Sequence, residues 1–504
     1  ALLVKRDVIR STFWEDMAPA SPILEQLAFE VFERYGTLKE EIVHHPVRKG
    51  SQVWEHELDE GSFLVLEQMW VDEHYRRSGI GNWMVRCMLQ KAVVEKKVRF
   101  VFALASVDPS INAGMDVVSD TDCKAVLPFL RQFEFRRVGL TPFLAYDAGS
   151  NTHPSKQLPA RVDPEPPSCL REEGIAWDGE TLRIHKAILE RSEPDLLLWL
   201  SKESKEKHPF TDEDWLRTDA RGNNILHLVS IQCYVMALDS IGSLLGHSFL
   251  LLSQQRNLLG YTPFEALQAH LDKGRGSTRT NNRRLVHVDT FNGYGNGPVG
   301  CLSKLNLGVS PEAFLRGNLT QATRLQIARF RTGCTCYTCY TDILSPRTHH
   351  QLFQTAELLN RALNFQVDNH ARFNNFVYPA YRALFTFVPP EVLRRFKSNR
   401  SIREGFVKLF EYILEILRKD RLPTIQRIQT EWDNDASWPS HVKTYINVGG
   451  TIESALLTVL QVTMEGDALA GDGYFDKVNG AEWKDEFPRC RNDSEWAFLA
   501  RTCG

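Results

Sequence analysis

Leu66–Val85, LEQMWVDEHYRRSGIGNWMV, reads as the end of a strand, a polar turn and the start of a helix. Apolar character runs to Val71, and the turn itself is Arg76-Arg77-Ser78-Gly79-Ile80-Gly81. Ile80, Trp83, Met84, Cys87, Met88 and Lys91 then recur at helical spacing as far as Val94. Amides at a helix start lack acceptors and point at one place, so the backbone from Arg77 to Asn82 is expected to cradle a diphosphate. Gly79 and Gly81 admit close approach, and Arg76 and Arg77 place positive charge at the rim. The spacing differs from the GxGxxG of dinucleotide folds, and the turn lacks the Lys-Ser/Thr pair of a Walker loop.

Upstream of the turn, Pro22–Tyr35 places Ile23, Leu27, Val31 and Tyr35 on one face and predicts a helix. Gln52–Leu58 and Gly61–Val71 predict two strands joined across Asp59-Glu60-Gly61. Downstream, a strand over Arg99–Ala105, a helix over Asp122–Gln132 and strands over Phe133–Val138 and Phe143–Tyr146 complete an α/β order with a largely antiparallel start and a strand–helix–strand centre. Pro154, Pro159, Pro164, Pro166 and Pro167 then interrupt a polar stretch. This predicts a first domain of residues 1–147 and a proline-rich linker or extended surface crossing over 148–170.

Beyond that crossing, strand patterns become scarce. Thr181–Arg191 with Pro194–Ser201, then Asn224–Leu238, then Thr262–Leu271, predict successive helices. Their starts, TLRIHKA, GNNILHLV and GYTPFEAL, set His185, His227 and Glu265 in corresponding places. A period of about 33 to 42 residues carrying a turn, then Thr/Asn-x-Leu-His and a helix is the mark of stacked helical repeats, expected over 171–275. The run Lys273–Arg284 is basic and lacks the aromatics of a stacking platform, so it reads as a solvated loop. Helices are expected over Gln354–Asn364, Pro379–Phe387, Pro390–Phe396, Ile402–Leu417 and Ile452–Met464, giving a helical domain from 351 to 504.

The 504 residues suffice for several folding units. Sixty Lys and Arg against 63 Asp and Glu give a formal charge of −3, so no global field recruits nucleic acid or an anionic membrane. No apolar run reaches the roughly 20 residues that span lipid. The expectation is an intracellular protein, cytoplasmic or nuclear. In a reducing compartment, clustered cysteines suggest metal before disulfide. Cys334-x-Cys336-x-x-Cys339 supplies three local thiols within a cysteine-containing region over 276–350. A structural zinc site needs a fourth ligand, for which Cys301 is preferred ahead of Cys490 and His349. Ordinary reduced thiols are the competing reading.

The strand–turn–helix with Val71, Arg76, Gly79 and Gly81 resembles the acyl-CoA-binding segment of the GNAT-type N-acetyltransferase superfamily, and the element order across 1–147 agrees with it. The resemblance implies an acyl-CoA N-acyltransferase-like domain that moves an acetyl group from acetyl-CoA to an amine. In that reading Gln68, Met69 and Val71 bind the pantetheine arm, and Arg76, Arg77, Ser78, Gly79, Ile80, Gly81 and Asn82 bind the diphosphate. Glu67 is the leading general base, with His56, Glu57 and Asp72 behind it. Where the superfamily often has Phe-Tyr, with the Tyr protonating the departing thiolate, this chain has Phe129-Leu130. That departure keeps open the alternative of an inactive GNAT-like interaction or regulatory protein, with Tyr146 or a water as a substitute donor in the active case. The repeats resemble ankyrin repeats, whose Thr-Pro-Leu-His turn is matched by His185, by His227 and, with Glu265 in place of His, by Thr262-Pro263-Phe264-Glu265. Such repeats imply a protein partner or a spacer between domains. The whole order, including FWEDM, LAFEVFERYG, CTCYTC with LSPR, and CRND, resembles a group of large fungal proteins that join a GNAT-like domain to ankyrin-like helices.

Overall fold

In the computed structural model of the chain, residues 1–96, 98–104, 120–164, 182–203, 210–275, 277–279, 285–287, 291–340, 343–367, 384–435, 440–470, 486–493 and 495–504 are described. They divide into two compact units, Ala1–Val288 with Gly295–Asn318, and Asp289–Tyr294 with Leu319–Gly504. No helix among the described residues is long and apolar enough to cross a membrane.

The first unit is built on a five-stranded sheet: β1 (Leu2–Val4), β2 (Phe63–Leu66), β3 (Phe100–Leu104), β4 (Arg136–Arg137) and β5 (Phe143–Asp147), in the order β1-β2-β3-β5-β4. Only β2 and β3 run parallel, from Phe63 opposite Phe100 to Leu66 opposite Ala103; the other pairs are antiparallel. Side chains alternate across the pleat, so each strand serves two cores. Phe63, Val65, Phe100, Phe102, Phe143 and Ala145 face the helices α1 (Phe13–Ala20) and α2 (Pro22–Val31). Leu64, Val101, Ala103 and Leu144 face α3 (Ile80–Lys96) and α4 (Asp120–Arg131). The Ser21 hydroxyl accepts from the Leu24 amide and, with Pro22 in the first turn, sets where α2 begins.

The hairpin expected at Gln52–Val71 does not form. Gln52–Leu58 is irregular backbone leading into a 3-10 turn, His56–Asp59, and the antiparallel partner of β2 is β1. Val53 and Trp54 are adjacent and both buried, which a half-exposed strand does not permit. Trp54 instead donates from its indole to the Arg136 carbonyl (3.2 Å) and stacks on His153. The buried Arg6 guanidinium bonds the Leu58 carbonyl, and the Leu38 amide bonds the Asp59 carboxylate (2.6 Å), so these groups are satisfied away from a ladder. On α3 the buried face is Val85, Leu89 and Ala92, whereas Trp83 and Cys87 of the expected apolar stripe are exposed. Ala105 of the expected third strand, and 165–170 of the proposed linker, lie outside the described residues. Residues 148–164 pack onto the sheet: Asp163 accepts from Arg131 Nε and from the Arg137 amide, both at 3.1 Å.

Three helix pairs follow: α5 (Arg183–Glu190) with α6 (Glu193–Glu203), α7 (Ile225–Ile231) with α8 (Val235–Leu245), and α9 (Pro263–Gly274) with α10 (Asn296–Leu307). The first members pack side by side, as do the second members. Asn224–Leu238, expected to repeat the helix-pair theme, divides between α7 and α8 at Cys233, whose φ is +60°. Thr181 lies outside the described residues, as do 276 and 280–284 of the basic run; Ser277–Arg279 there pairs antiparallel with Leu285–His287.

The turn before α9 docks on the segment Glu41–Arg48. Arg48 bonds the Leu259 carbonyl (2.8 Å) and Glu41 (3.0 Å) and lies 4.0 Å over the Tyr261 ring, while the Tyr261 hydroxyl donates to Glu41 (3.1 Å). Gly260, at φ +81°, comes so close to Val47, Arg48 and Leu140 that a Cβ would crowd them.

The second unit is helical, with α11 (Gln321–Thr332), α12 (Pro346–Val367), α13 (Arg400–Arg418), α14 (Ile452–Ala470) and α15 (Trp496–Cys503). Phe406, Phe410, Ile413 and Leu417 of α13 are buried at its centre against Leu352, Leu359 and Leu363 of α12 and Leu456 and Val459 of α14. Of the helix expected at Pro379–Phe387, 379–383 lie outside the described residues.

Candidate functional site

The glycine turn sits where the parallel pair ends. Past Leu66 the chain leaves the sheet, carrying Glu67, half-buried and without a hydrogen-bond or ion-pair partner among the described residues, then exposed Gln68 and half-buried Met69. A 3-10 turn, Glu73–Tyr75, leads into Arg76–Gly79, and α3 starts at Ile80. Arg76 folds back: its Nε donates to the Val71 carbonyl (3.1 Å) and its guanidinium lies 5.3 Å from the Trp70 ring. The rim charge is therefore Arg77, which is exposed at φ +63°. Gly79 adopts φ +89°, and a Cβ there would meet nothing within 4 Å. Its glycine requirement is conformational, and the space above it is open. Gly81 packs on Phe129 and Met69, 3.5 and 3.9 Å from where its Cβ would stand. Ser78 and Asn82 are exposed, and Ile80 is partly so.

Leu130 is 2% exposed, in the core between α3 and β3, so no polar group reaches the opening from that position. Tyr146 pairs with Val101, three residues back from the end of β3, and lines a hollow of about 440 Å³ with Arg86, Gln90, Gln132 and Glu134. Burial pushes its hydroxyl above the usual tyrosine range. That hollow lies along α3 away from the glycine turn, which removes Tyr146 from the opening. Residues 105–119, which follow β3, lie outside the described residues.

A second constellation lies in the helical unit. After α11 the chain turns through Cys334, Cys336 and Cys339, and Cys490 joins them from near the carboxyl end. The Sγ atoms are 3.6 Å (Cys334–Cys336), 3.8 Å (Cys336–Cys339), 3.6 Å (Cys339–Cys490) and 3.8 Å (Cys490–Cys334) apart, and all four lie within 4.8 Å of one another. A disulfide would need about 2 Å. Four sulfurs at about 2.3 Å from one ion in a tetrahedron stand about 3.8 Å apart, which matches these four edges. This group can hold a metal ion.

The surroundings treat the sulfurs as acceptors. The Thr338 amide and hydroxyl point at Cys336 Sγ (3.5 and 3.2 Å), the Asn492 amide at Cys490 Sγ (3.4 Å), and Asn492 Nδ2 at Cys339 Sγ (3.7 Å). Arg329 clamps the Cys339 carbonyl through two nitrogens (2.9 and 2.8 Å), and Asp493 accepts from the Cys490 amide (2.8 Å). Hydrogen bonds from neighbouring thiols, Cys334 first, hold Cys336 far below the ordinary thiol range, whereas burial pushes Cys490 well above it. A dication at the centre would let all four ionise together.

Cys490 takes the fourth corner that the sequence assigned to Cys301. Cys301 is fully buried in α10 of the other unit, where desolvation raises its pKa. His349 is also elsewhere, with Nε2 2.8 Å from the Leu417 carbonyl. No spacing rule could select Cys490, which stands 151 residues beyond Cys339. The only local signal is Cys490-Arg491-Asn492-Asp493, whose Asn and Asp bond the knuckle. Comparison of the chain with family models, curated proteins and solved structures finds no match.

Proposed function

We propose that the sheet-bearing part of the first unit binds acetyl-CoA and transfers its acetyl group to an amine. The observation that carries this reading is the strand–glycine turn–helix at the open end of the one parallel strand pair, with clear space over Gly79. The diphosphate would lie on the α3 start, with Arg77 as its counter-charge. Glu67, first residue past β2, is the base candidate, acting directly or through water. A GNAT-like domain also accounts for α1 and α2 on one sheet face with α3 and α4 on the other.

A second reading, a GNAT-like fold kept for binding or regulation, is favoured by one observation: the position that would offer a tyrosine hydroxyl is the buried Leu130. Ankyrin-like stacking would then serve interaction, although the Tyr261 turn already docks on Glu41 and Arg48. For the cysteine group we infer structural Zn2+: four thiolates close the tetrahedron and leave no position for substrate.

Two measurements together separate the readings. Calorimetry with acetyl-CoA should give saturable binding, and Asn82→Asp should weaken it by about tenfold through like-charge repulsion at the helix start, while leaving the fold as stable or slightly more so. In an amine-acceptor screen, Glu67→Gln should lower kcat by about 10- to 1,000-fold with little change in acetyl-CoA affinity. Unchanged affinity in Asn82→Asp would reject the cradle, and binding without turnover across a broad amine panel would select the second reading.

A further inference from the structure

The short helix Glu40–Val43 and the 3-10 turn His56–Asp59 bring together three ligand-type side chains, of which the acyl-CoA reading touches only His56, as a base candidate behind Glu67. Glu40 and His44 are four residues apart, with His44 Nε2 3.2 Å from Glu40 Oε2. The His56 ring lies 6.1 Å from the His44 ring, centroid to centroid. One ligand atom from each of Glu40, His44 and His56 falls within 4.8 Å of the other two.

The orientation of His56 is set from behind. Its Nδ1 is 2.9 Å from Asp59 Oδ2, and Asp59 is itself fixed, buried, by the Leu38 amide on Oδ1 (2.6 Å) beside the Arg6 guanidinium. A carboxylate on one imidazole nitrogen directs the other nitrogen outward and raises its basicity, the arrangement that accompanies metal-bound histidines. For ligands about 2.0–2.1 Å from a tetrahedral ion, neighbouring donors stand about 3.4 Å apart. The Glu40–His44 pair already has that spacing. His44, whose side chain is 64% exposed, has the freedom to bring its nitrogen in toward His56.

We propose that Glu40, His44 and His56 bind one borderline dication of the Zn2+ class, with Asp59 as the orienting carboxylate. Two imidazoles and one carboxylate leave a fourth position to water, so the site differs in kind from the closed tetrathiolate group. It also lies in the other unit of the chain, and its occupancy is read separately from that of the cysteines.

The test is equilibrium dialysis of the full-length protein against Zn2+ at neutral pH, with bound metal counted by elemental analysis, repeated with Co2+ so that each equivalent is seen optically. The expected result is an equivalent that disappears in His44→Gln and in His56→Gln while the thiolate-to-cobalt charge-transfer bands of the cysteine group persist. Asp59→Asn should weaken that equivalent about 10- to 100-fold, with circular dichroism confirming the fold. His44 is exposed, so His44→Gln reads the site without threatening folding. Equal metal content in wild type, His44→Gln and His56→Gln would overturn the proposal.

Discussion

At the scale of single residues, the choice between Cys490 and Cys301 is the sharpest consequence of the structure. Both are buried thiols, but only Cys490 lies 3.6–3.8 Å from two other cysteine sulfurs, and only its sulfur receives an amide from a turn built to present it. With the group holding Zn2+ as proposed, Cys490→Ser should therefore abolish that metal equivalent. It should also lower the melting temperature of the helical unit by several degrees or more, because a corner of the tetrahedron is lost. Cys301→Ser should keep the metal and lose only what burying a hydroxyl costs, about 1–3 kcal/mol. Elemental analysis of the two variants beside wild type checks this pair, and metal loss in Cys301→Ser with retention in Cys490→Ser would reverse the assignment. The exposed Arg77 and the withdrawn Arg76 make a similar point about neighbours. Adjacent arginines look equivalent in the sequence, yet one is tied to Val71 and Trp70 and the other is exposed to solvent.

At the scale of elements, the histidines of the helix pairs behave as packing groups. His227 accepts the Asn224 amide at Nδ1 (3.2 Å) and donates from Nε2 to the Tyr261 carbonyl (2.9 Å), so it caps α7 and links it to the next turn. Burial, the largest cause, lowers its pKa, against raising effects from the Tyr261 carbonyl, Asp219 and Glu265. His185, fully buried beside the Arg217 and Asn223 carbonyls and Asp219, is likewise lowered chiefly by burial. Burial favours the neutral form of both in the folded state. Their stabilisation is thus present above the unfolded imidazole pKa of about 6.5 and lost as pH falls through their lower folded values. Hydrogen exchange over residues 225–231, corrected for intrinsic rates, should show protection falling from pH 7.5 to pH 5. His227→Gln should be less protected at pH 7.5 and flatter with pH; a pH profile identical to wild type would remove His227 from this role.

Helix positions were legible in the sequence because 3.6-residue periodicity survives local detail, as in the matches at Pro22, Ile402 and Ile452. Gln52–Leu58 misled for a physical reason: the neighbours Val53 and Trp54 are both buried, and the Leu58 carbonyl is bonded by Arg6 from distant sequence instead of by a neighbouring strand. The three local cysteines were legible, whereas the fourth was set by where the helical unit returns its carboxyl end.

At the scale of the whole chain, that return is a closure. The cysteine group joins the segment after α11 to the segment before α15, and the closing pair, Cys339 and Cys490, is 151 residues apart. On the cross-link argument used for disulfides, tying ends so far apart removes about 5 kcal/mol of unfolded-chain entropy. Part of the carboxyl end would hold without the ion, since Trp496, Leu499 and Cys503 of α15 are buried in the helical core. The turn at 486–493 is held at one end by Phe487, bonded by Arg347 and packed on His350, and at the other by the cysteine group itself: Cys490 and Asn492 contact the thiols, and Asp493 reaches Cys490 and Ser345. Metal removal should therefore loosen this turn first and α15 second, leaving α12 and α13 protected, because their contacts lie within the core. Incubation with a strong chelator, followed by hydrogen exchange read by mass spectrometry, should show deprotection at 331–340 and 486–493 before any change at 346–367. Readdition of one equivalent of Zn2+ should restore it. Simultaneous loss across the unit would mean that the ion holds the entire helical core, and no change at 486–493 would mean that the thiols pack there without a metal.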